Sequence, residues 1–190
     1  MGQLDLLAVL LQDRVASLLS INSLREDLSA SHEAVDRWVR ILENLYYCFR
    51  IRPFAAKKIK SLKKDRKFYL WDWSLCRDAE SRFENLVASN LLKYCNFFED
   101  TLGDDMELCF LRDSHKREVD FVVVRDGKPI FAVECKTGSQ VISKHLSYFS
   151  KRTEIPRFYQ VHMGSDDYEI ADLRARVMPF TRFAGEVLKV

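Results

Sequence analysis

The sequence predicts an α/β fold in which a mixed β-sheet is flanked by helices, preceded by a winged helix-turn-helix module. Two observations lead to this. The chain has 190 residues and is 47% hydrophobic, which suffices for one medium domain with a small accessory module. Its hydrophobic patterning gives three helical stretches and two extended segments, and then an order of helix, three strands, helix and strand.

The three N-terminal helices rest on leucine content, capping residues and periodicity. Residues 4–19 are rich in leucine and suit a long first helix. Ser23 and Glu26 have capping-box spacing and are expected to start a short second helix. Ser31 is the expected cap of a third helix, because the apolar residues after it recur at positions i, i+3, i+4 and i+7.

Two extended segments, residues 46–51 and 68–73, follow these helices as the strands of a wing. Tyr69, Trp71 and Trp73 would share one face of the second strand and form a packing face. The module is assigned to residues 1–75. Winged helices bind DNA in some proteins and dock onto other proteins in others, so both functions stay open.

The second domain, residues 76–190, carries the α/β order. Its strands are apolar at nearly every position, as in a sheet covered on both faces. The last strand follows a helical crossover and should lie parallel to the strand before it. The expected elements are a helix over residues 81–95, strands over residues 106–112, 118–125 and 129–136, a helix over residues 141–150 and a strand over residues 157–163.

Three charged residues interrupt these apolar strands: Asp120, Glu134 and Lys136. A buried charge costs several kcal/mol unless it is paired or binds an ion. If residues 126–128 form a three-residue loop, Asp120 lies opposite Glu134 with Cβ atoms about 5 Å apart. A two-residue loop would shift the register by one and separate the two carboxylates, so the longer loop is predicted.

Two facing carboxylates repel each other, and a divalent cation would remove the repulsion. Mg²⁺ or Mn²⁺ is the expected cofactor, since one or two carboxylates with water and phosphate satisfy Mg²⁺. Glu84 is expected to join the site, because its helical neighbours form the apolar side of the helix. In the structural alternative, Lys136 simply forms an ion pair with Glu118 at the strand end.

Positive charge is concentrated in the N-terminal part. Residues 1–68 contain 13 Lys and Arg against 8 Asp and Glu, a balance of +5, and the remainder has 17 against 20, a balance of −3. The basic residues could contact nucleic-acid phosphates or could form a solvated wing. The candidate nucleic-acid contacts are Arg37, Arg40, Lys57, Lys58, Lys60, Lys63, Lys64, Arg66 and Lys67.

Several classes of protein are disfavoured by composition. The five cysteines have no CxxC spacing and are expected to be free of disulfides or zinc, and most of them are expected to be buried. No apolar run approaches the roughly 18 residues of a membrane span, and the N-terminus lacks the order of a signal peptide, so a cytoplasmic location without membrane association is expected. The absence of a GxxxxGK[ST] motif leaves the chain without an ATP site of that type.

The motifs around these residues resemble the PD-(D/E)XK nuclease superfamily, which has a restriction-endonuclease-like fold with the core order α-βββ-α-β. The matching sequences are Arg82-Phe83-Glu84-Asn85, Glu118-Val119-Asp120-Phe121 and Glu134-Cys135-Lys136. Val119 stands where the nominal motif has proline. The resemblance implies a Mg²⁺-dependent nuclease.

In that superfamily's terms, Asp120 and Glu134 would hold the cation, and Glu84 would complete its ligand shell or position the attacking water. Lys136 would stabilise the developing negative charge or orient the nucleophile. Gln160, on the following strand, is a further candidate to contact that water.

More closely, nearly the whole chain is similar to the C-terminal region, of unknown function, of a prokaryotic AAA-type ATPase family, in which a winged helix precedes the nuclease-like part. That resemblance implies an ATPase domain, a second copy of the chain or DNA as partners. Two alternatives to the nuclease remain: a catalytically silent assembly or regulatory module, and a DNA-binding regulator that acts through the winged helix.

Overall fold

The structure is a computed structural model that describes residues 2–55, 65–138 and 141–189. The helices are α1 (Gln3–Gln12), α2 (Ile21–Asp27), α3 (His32–Asn44), α4 (Ala79–Leu102), α5 (Lys144–Ser150) and α6 (Phe180–Phe183). The strands are β1 (Cys48–Pro53), β2 (Lys67–Leu70), β3 (Met106–Arg112), β4 (Glu118–Arg125), β5 (Lys128–Lys136), β6 (Phe158–His162), β7 (Tyr168–Ile170) and β8 (Ala175–Pro179). Among the described residues, no helix is long and apolar enough to span a bilayer.

The strands form one mixed sheet in the order β2-β1-β3-β4-β5-β6-β8-β7. Strands β3, β4 and β5 are antiparallel neighbours, whereas β5, β6 and β8 are parallel. The predicted α/β class with a mixed, helix-flanked sheet is confirmed, and so is the parallel pairing of β5 with β6. Strands β7 and β8, which lie after the last predicted element, extend the sheet at one edge.

The N-terminal helices differ from prediction in two details. α1 ends at Gln12 because the chain after it pairs with β2, where the Ala16 and Leu19 N–H groups donate to the Phe68 and Arg66 carbonyls. α2 is capped by Ser20, whose hydroxyl accepts from the Ser23 N–H, so the predicted cap at Ser23 is wrong. Ser31 caps α3 as predicted.

The β1–β2 hairpin is shorter than the predicted wing and belongs to the central sheet. β2 ends at Leu70, and Trp73 lies in a short 3-10 turn, Trp73–Leu75, so the three aromatic residues do not share a strand face. β1 pairs in parallel with β3. The N-terminal helices therefore lead directly into the sheet of the following region, and the domain boundary at residue 75 stays a prediction.

The turn between β4 and β5 corrects the predicted loop. Only Asp126 and Gly127 connect the strands, both with positive φ (50° and 71°), as a two-residue type I′ turn requires. A two-residue turn would by itself shift the β4–β5 register by one residue. Ile130 is an extra residue on β5, a bulge that shifts the register back. Phe121 consequently pairs with Val133, the register that the longer loop was invoked to produce.

The sheet separates two apolar clusters. Phe121, Val123 and Val133 pack on the side of α4, whereas Val122 and Ala132 pack with α5 on the other side. All five cysteines are buried, which includes the majority expected to be so. The apolar cluster that a strand residue joins therefore shows which side of the sheet its side chain faces.

Asn85 fastens α4 to the edge strand β2. Its side-chain oxygen accepts from the Leu70 N–H at 2.8 Å, and its side-chain nitrogen donates to the Leu70 carbonyl at 2.7 Å. Both residues are fully buried. The amide thus satisfies two backbone groups of β2, and no apolar side chain could replace it.

Asn85→Leu should lower the free energy of unfolding by about 2 to 4 kcal/mol, because the Leu70 N–H and carbonyl would lose their partner while remaining buried. Asn90→Leu is the matched control: Asn90, also on α4, is only partly buried and donates to the Leu86 carbonyl. It should change stability by about 0.5 kcal/mol or less. Urea unfolding measures both, and equal losses would contradict the role assigned to Asn85.

Candidate functional site

A buried lysine from β2 stands at the centre of the candidate site. The Lys67 side chain is only 2% exposed. Its ammonium lies 2.8 Å from Glu84 Oε1, 2.6 Å from Glu118 Oε1 and 3.6 Å from Asp120 Oδ1. Three carboxylates from a helix and a strand of the second region thus share one ammonium from the N-terminal hairpin.

Glu84 reaches this ammonium from α4, which begins where Asp78 accepts from the Ser81 N–H at 2.7 Å. The same carboxylate oxygen of Glu84 accepts from the Tyr69 hydroxyl at 2.7 Å. Lys67 and Tyr69 are two residues apart on β2 and therefore lie on one face. The sequence prediction that Glu84 points toward the sheet is confirmed.

A bulge in β4 directs Asp120 to the same place. Cys109 pairs with Val122 and Leu111 with Val119, so two steps along β3 match three along β4. In a regular strand Asp120 would share the face of Val122, which packs toward α5. The extra residue leaves its carboxylate between the Lys67 ammonium and the Cys135 N–H of β5, as bulges next to functional sites often do.

Glu134 and Lys136 form the second half of the site. Lys136 Nζ donates to Glu134 Oε1 at 2.8 Å. Both neighbours of Glu134 pack on the α4 side, so Glu134 itself faces α5. On that face its parallel neighbour Gln160 accepts from the Ser143 N–H at 2.7 Å, which holds the start of α5.

Asp120 connects the two halves. Its Oδ2 accepts from the Cys135 backbone N–H at 2.8 Å, while its Oδ1 lies 3.6 Å from the Lys67 ammonium. Cys135 lies between Glu134 and Lys136 on β5. The four residues predicted for the site thus occupy two adjoining clusters that meet at the Asp120 carboxylate.

Burial and crowded negative charge shift the acidity of these groups. Burial raises the pKa of Glu134 to about 8, and the Asp120 charge adds to this increase. Burial and then Asp120 raise the pKa of Glu84 to about 7. Burial alone would lower the pKa of Lys67, but Tyr69 and the surrounding carboxylates raise it well above its usual value.

One carboxylate oxygen of the site could bind a cation, whereas other carboxylates are already bound to Lys67. Among the described residues, Glu134 Oε2 is buried without a hydrogen-bond partner, which makes this oxygen a candidate ligand. Within residues 2–55, 65–138 and 141–189, however, no three His, Cys, Asp or Glu side chains are grouped to hold one metal ion. The physical reason is that Glu84 and Glu118 are turned onto the Lys67 ammonium.

Two predicted ion contacts are corrected by this arrangement. Glu118 binds Lys67 and Arg112, the latter at 2.8 Å, and does not pair with Lys136. Lys67, assigned from sequence to a phosphate-contacting strip, is buried in the carboxylate cluster and cannot contact a nucleic acid.

The other described members of the basic set lie at the surface. Arg37 is exposed on α3, and Arg40 is exposed but paired with Asp36 at 2.8 Å. Arg66 lines a cleft of about 200 Å³ with Arg50 and Arg52. Five members lie outside the described residues: Lys57, Lys58, Lys60, Lys63 and Lys64.

Comparison with protein families divides the chain near the start of α4. A family model described as Domain of unknown function (DUF4143) matches residues 80–183, more than half of the chain. The chain belongs to the DUF4143 family. A second model, Domain of unknown function (DUF8612), matches residues 1–86. Searches of curated proteins and of solved structures found no match.

The DUF4143 region supplies Glu84, Glu118 and Asp120, whereas Lys67 and Tyr69 come from the region before it. The sequence predicted neither residue in this cluster. Lys67, which ends a run of basic residues, was assigned to the nucleic-acid contacts, and Tyr69, which begins a run of alternating aromatics, was assigned to a packing face. Their spacing of two residues in an otherwise apolar strand was the available signal. Only the fold showed that this strand lies beside α4.

The raised pKa of Glu134 predicts a specific pH dependence of stability. Between the ordinary glutamate pKa of about 4.3 and about 8, the folded chain holds a proton on Glu134 that the unfolded chain has lost. The free energy of unfolding should therefore fall as the pH rises through this range. Glu134→Gln cannot ionise, so its stability should depend less on pH, most clearly between pH 7 and 8, above the pKa of about 7 of Glu84.

Melting temperatures measured from pH 5 to pH 8.5 test this. Glu154→Gln is the control, because Glu154 is exposed and its carboxylate stays in water on folding. Parallel curves for wild type and Glu134→Gln would show that Glu134 ionises in the folded chain as it does in the unfolded one.

Proposed function

We propose that this chain is a divalent-metal-dependent nuclease of the PD-(D/E)XK type that hydrolyses nucleic-acid phosphodiesters. One observation carries the proposal: among the described residues, Glu134 has a buried carboxylate oxygen with no hydrogen-bond partner, and Lys136 pairs with its other oxygen. Asp120 is close enough for its charge to raise the pKa of Glu134. Two carboxylates that can bind a divalent ion, with a lysine next to them, suit metal-assisted phosphodiester hydrolysis.

Asp120 and Glu134 would hold Mg²⁺ or Mn²⁺, which when bound supplies Lewis-acid activation of the phosphoryl group and of the attacking water. The Cys135 N–H holds the Asp120 carboxylate in place through Oδ2. Lys136 is 27% exposed, so its ammonium can reach a substrate phosphate and stabilise its developing negative charge. Gln160 orients the start of α5 next to Glu134.

Glu84 has a positioning role in this proposal. Its contacted oxygen is shared by Lys67 and the Tyr69 hydroxyl, so the carboxylate acts through Lys67 on Asp120. The order of α4, β3, β4, β5, α5 and β6 is compatible with the restriction-endonuclease-like core. We further propose that the N-terminal helices and hairpin are a winged helix, that DNA is the substrate, and that the chain works with an AAA-type ATPase domain.

Incubation with single- and double-stranded DNA and RNA in Mg²⁺ or Mn²⁺ tests the nuclease proposal. Wild type should cleave, and Asp120→Asn should lower the rate by about 100-fold or more, because a metal-binding carboxylate becomes a neutral amide. The amide oxygen can still accept from the Cys135 N–H, so the variant should fold. Lys136→Met should lose activity without losing metal binding.

Asp100→Asn is the matched control, since Asp100 is exposed at the other end of α4. It should cleave like wild type. Wild type without cleavage in either metal, on all four substrates, would contradict the nuclease, as would equal rates for wild type and Asp120→Asn.

A catalytically silent assembly or regulatory module is the second candidate, and the buried Lys67 favours it. Its ammonium already neutralises carboxylates that would otherwise require a metal ion. A chain that uses a lysine as its internal cation is stable without a metal. The carboxylate cluster would then join the N-terminal hairpin to α4 and β4.

Thermal unfolding in EDTA and in Mg²⁺ or Mn²⁺ distinguishes the two candidates. A nuclease should melt at a higher temperature with metal, because the ion binds only the folded chain, and Asp120→Asn should lose this response. A silent module should show no metal response in wild type.

In either case Lys67→Met should destabilise the chain in EDTA by about 3 to 5 kcal/mol, since it leaves buried carboxylates unpaired. For the silent module, added Mn²⁺ should restore part of that loss by taking the place of the ammonium. Lys116→Met, at an exposed turn, is the control and should behave as wild type.

A further inference from the structure

The outer face of α5 carries a cluster of positive charge that the candidate site does not use. The buried side of α5 consists of Leu146, Phe149 and Ser150. Lys144 on α5, and Lys151 and Arg152 directly after its end, are exposed, and Tyr148 is partly buried at the edge of the core. Residues 143–153 contain no acidic residue.

Tyr148 holds two arginines. The guanidinium carbon of Arg117 lies 3.8 Å from the centre of the Tyr148 ring, and that of Arg152 lies 4.1 Å from it. Both guanidinium groups therefore lie in contact with the same ring. The ring thus orients two cations that would otherwise repel each other.

Arg117 is also held by Asp113. Its Nε donates to Asp113 Oδ2 at 2.7 Å, and the other oxygen of this buried carboxylate accepts from the His115 and Arg117 N–H groups. Arg152 is exposed, and the described contacts of its guanidinium are the Tyr148 ring and a long 3.5 Å hydrogen bond to the Tyr148 carbonyl. Glu154 is the next acidic residue along the chain.

We propose that this basic face, formed by Lys144, Tyr148, Lys151, Arg152 and Arg117, binds the phosphate backbone of a nucleic acid. Arg152 presents N–H groups held in the plane of its stacked guanidinium, which suits the paired oxygens of a phosphate. Arg117 adds positive charge, although its Nε and one terminal nitrogen already contact Asp113 and His115. Charge of one sign on one helix face is what a polyanion requires. The substrate class rests on the proposed nuclease function.

The position of this face relative to the site supports the assignment. Arg117 directly precedes Glu118, which binds Lys67 in the carboxylate cluster. α5 packs on the side of the sheet that Glu134 faces, and its first turn is held by Gln160, the neighbour of Glu134. The basic face and the Glu134–Lys136 pair therefore belong to the same side of the sheet.

Binding of short fluorescent single-stranded and duplex oligonucleotides in EDTA, where no metal-dependent cleavage occurs, tests the inference. Lys144→Glu with Arg152→Glu should weaken binding about tenfold or more. Each lost phosphate contact should make the slope of log affinity against log salt shallower by about 0.9 on a duplex and about 0.7 on a single strand. The loss of two contacts should therefore change the slope by about 1.8 or about 1.4. Lys93→Glu with Lys128→Glu, exposed positions away from α5, is the charge-matched control and should bind nearly as wild type does.

Two single variants separate preorganisation from charge. Tyr148→Leu leaves the net charge unchanged but removes the ring, so it should weaken binding, whereas Tyr148→Phe keeps the ring and should not. Equal weakening by the two charge-reversed pairs, or no effect of the α5 pair, would overturn the inference. The inference would also be overturned if the variant with both α5 substitutions lost binding to phosphatidylserine vesicles but still bound oligonucleotides as wild type does.

The two proposals fail separately. Asp120→Asn should bind oligonucleotides in EDTA as wild type does, since it is not part of the basic face. Normal binding without cleavage by wild type would refute the nuclease alone. Unchanged binding and cleavage by the α5 pair would refute the basic face alone.

Discussion

The ion cluster around Lys67 is the interaction on which the candidate site depends. A lysine that is 2% exposed is tolerated only because carboxylates from α4 and β4 surround it. The same contacts tie the edge strand β2 to the helix and to the centre of the sheet. The cluster therefore links the N-terminal region to the DUF4143 region by charge, next to the neutral amide of Asn85 that links them by hydrogen bonds.

The carboxylate cluster contains side chains from both family regions. The match to DUF4143 begins at residue 80, after Lys67 and Tyr69. The carboxylates of the DUF4143 region are thus completed by side chains from the region that matches DUF8612. Without that hairpin, Glu84, Glu118 and Asp120 would lie close together with no buried cation, and their charges would repel.

Local irregularities of the backbone determine where the site residues point. The bulge at Asp120 leaves its carboxylate between the Lys67 ammonium and the Cys135 N–H, and the extra residue Ile130 keeps β5 in the register that pairs Phe121 with Val133. Each irregularity changes the face of a side chain, because strand residues alternate between faces. Asp120 as a result lies at the junction of the Lys67 cluster and the Glu134–Lys136 pair.

The sequence alone determined the order from α4 to β6, the mixed sheet and the inward direction of Glu84, because hydrophobic periodicity is a local property that long helices and buried strands express clearly. It also identified Asp120, Glu134 and Lys136 as anomalous charges in apolar strands. The tertiary structure decided the rest. The partner of the carboxylates is a lysine far away in the chain, and the register depends on a two-residue turn compensated by a bulge. Neither can be read locally, since a strand's neighbours and the face of a bulged residue are set by packing between distant segments.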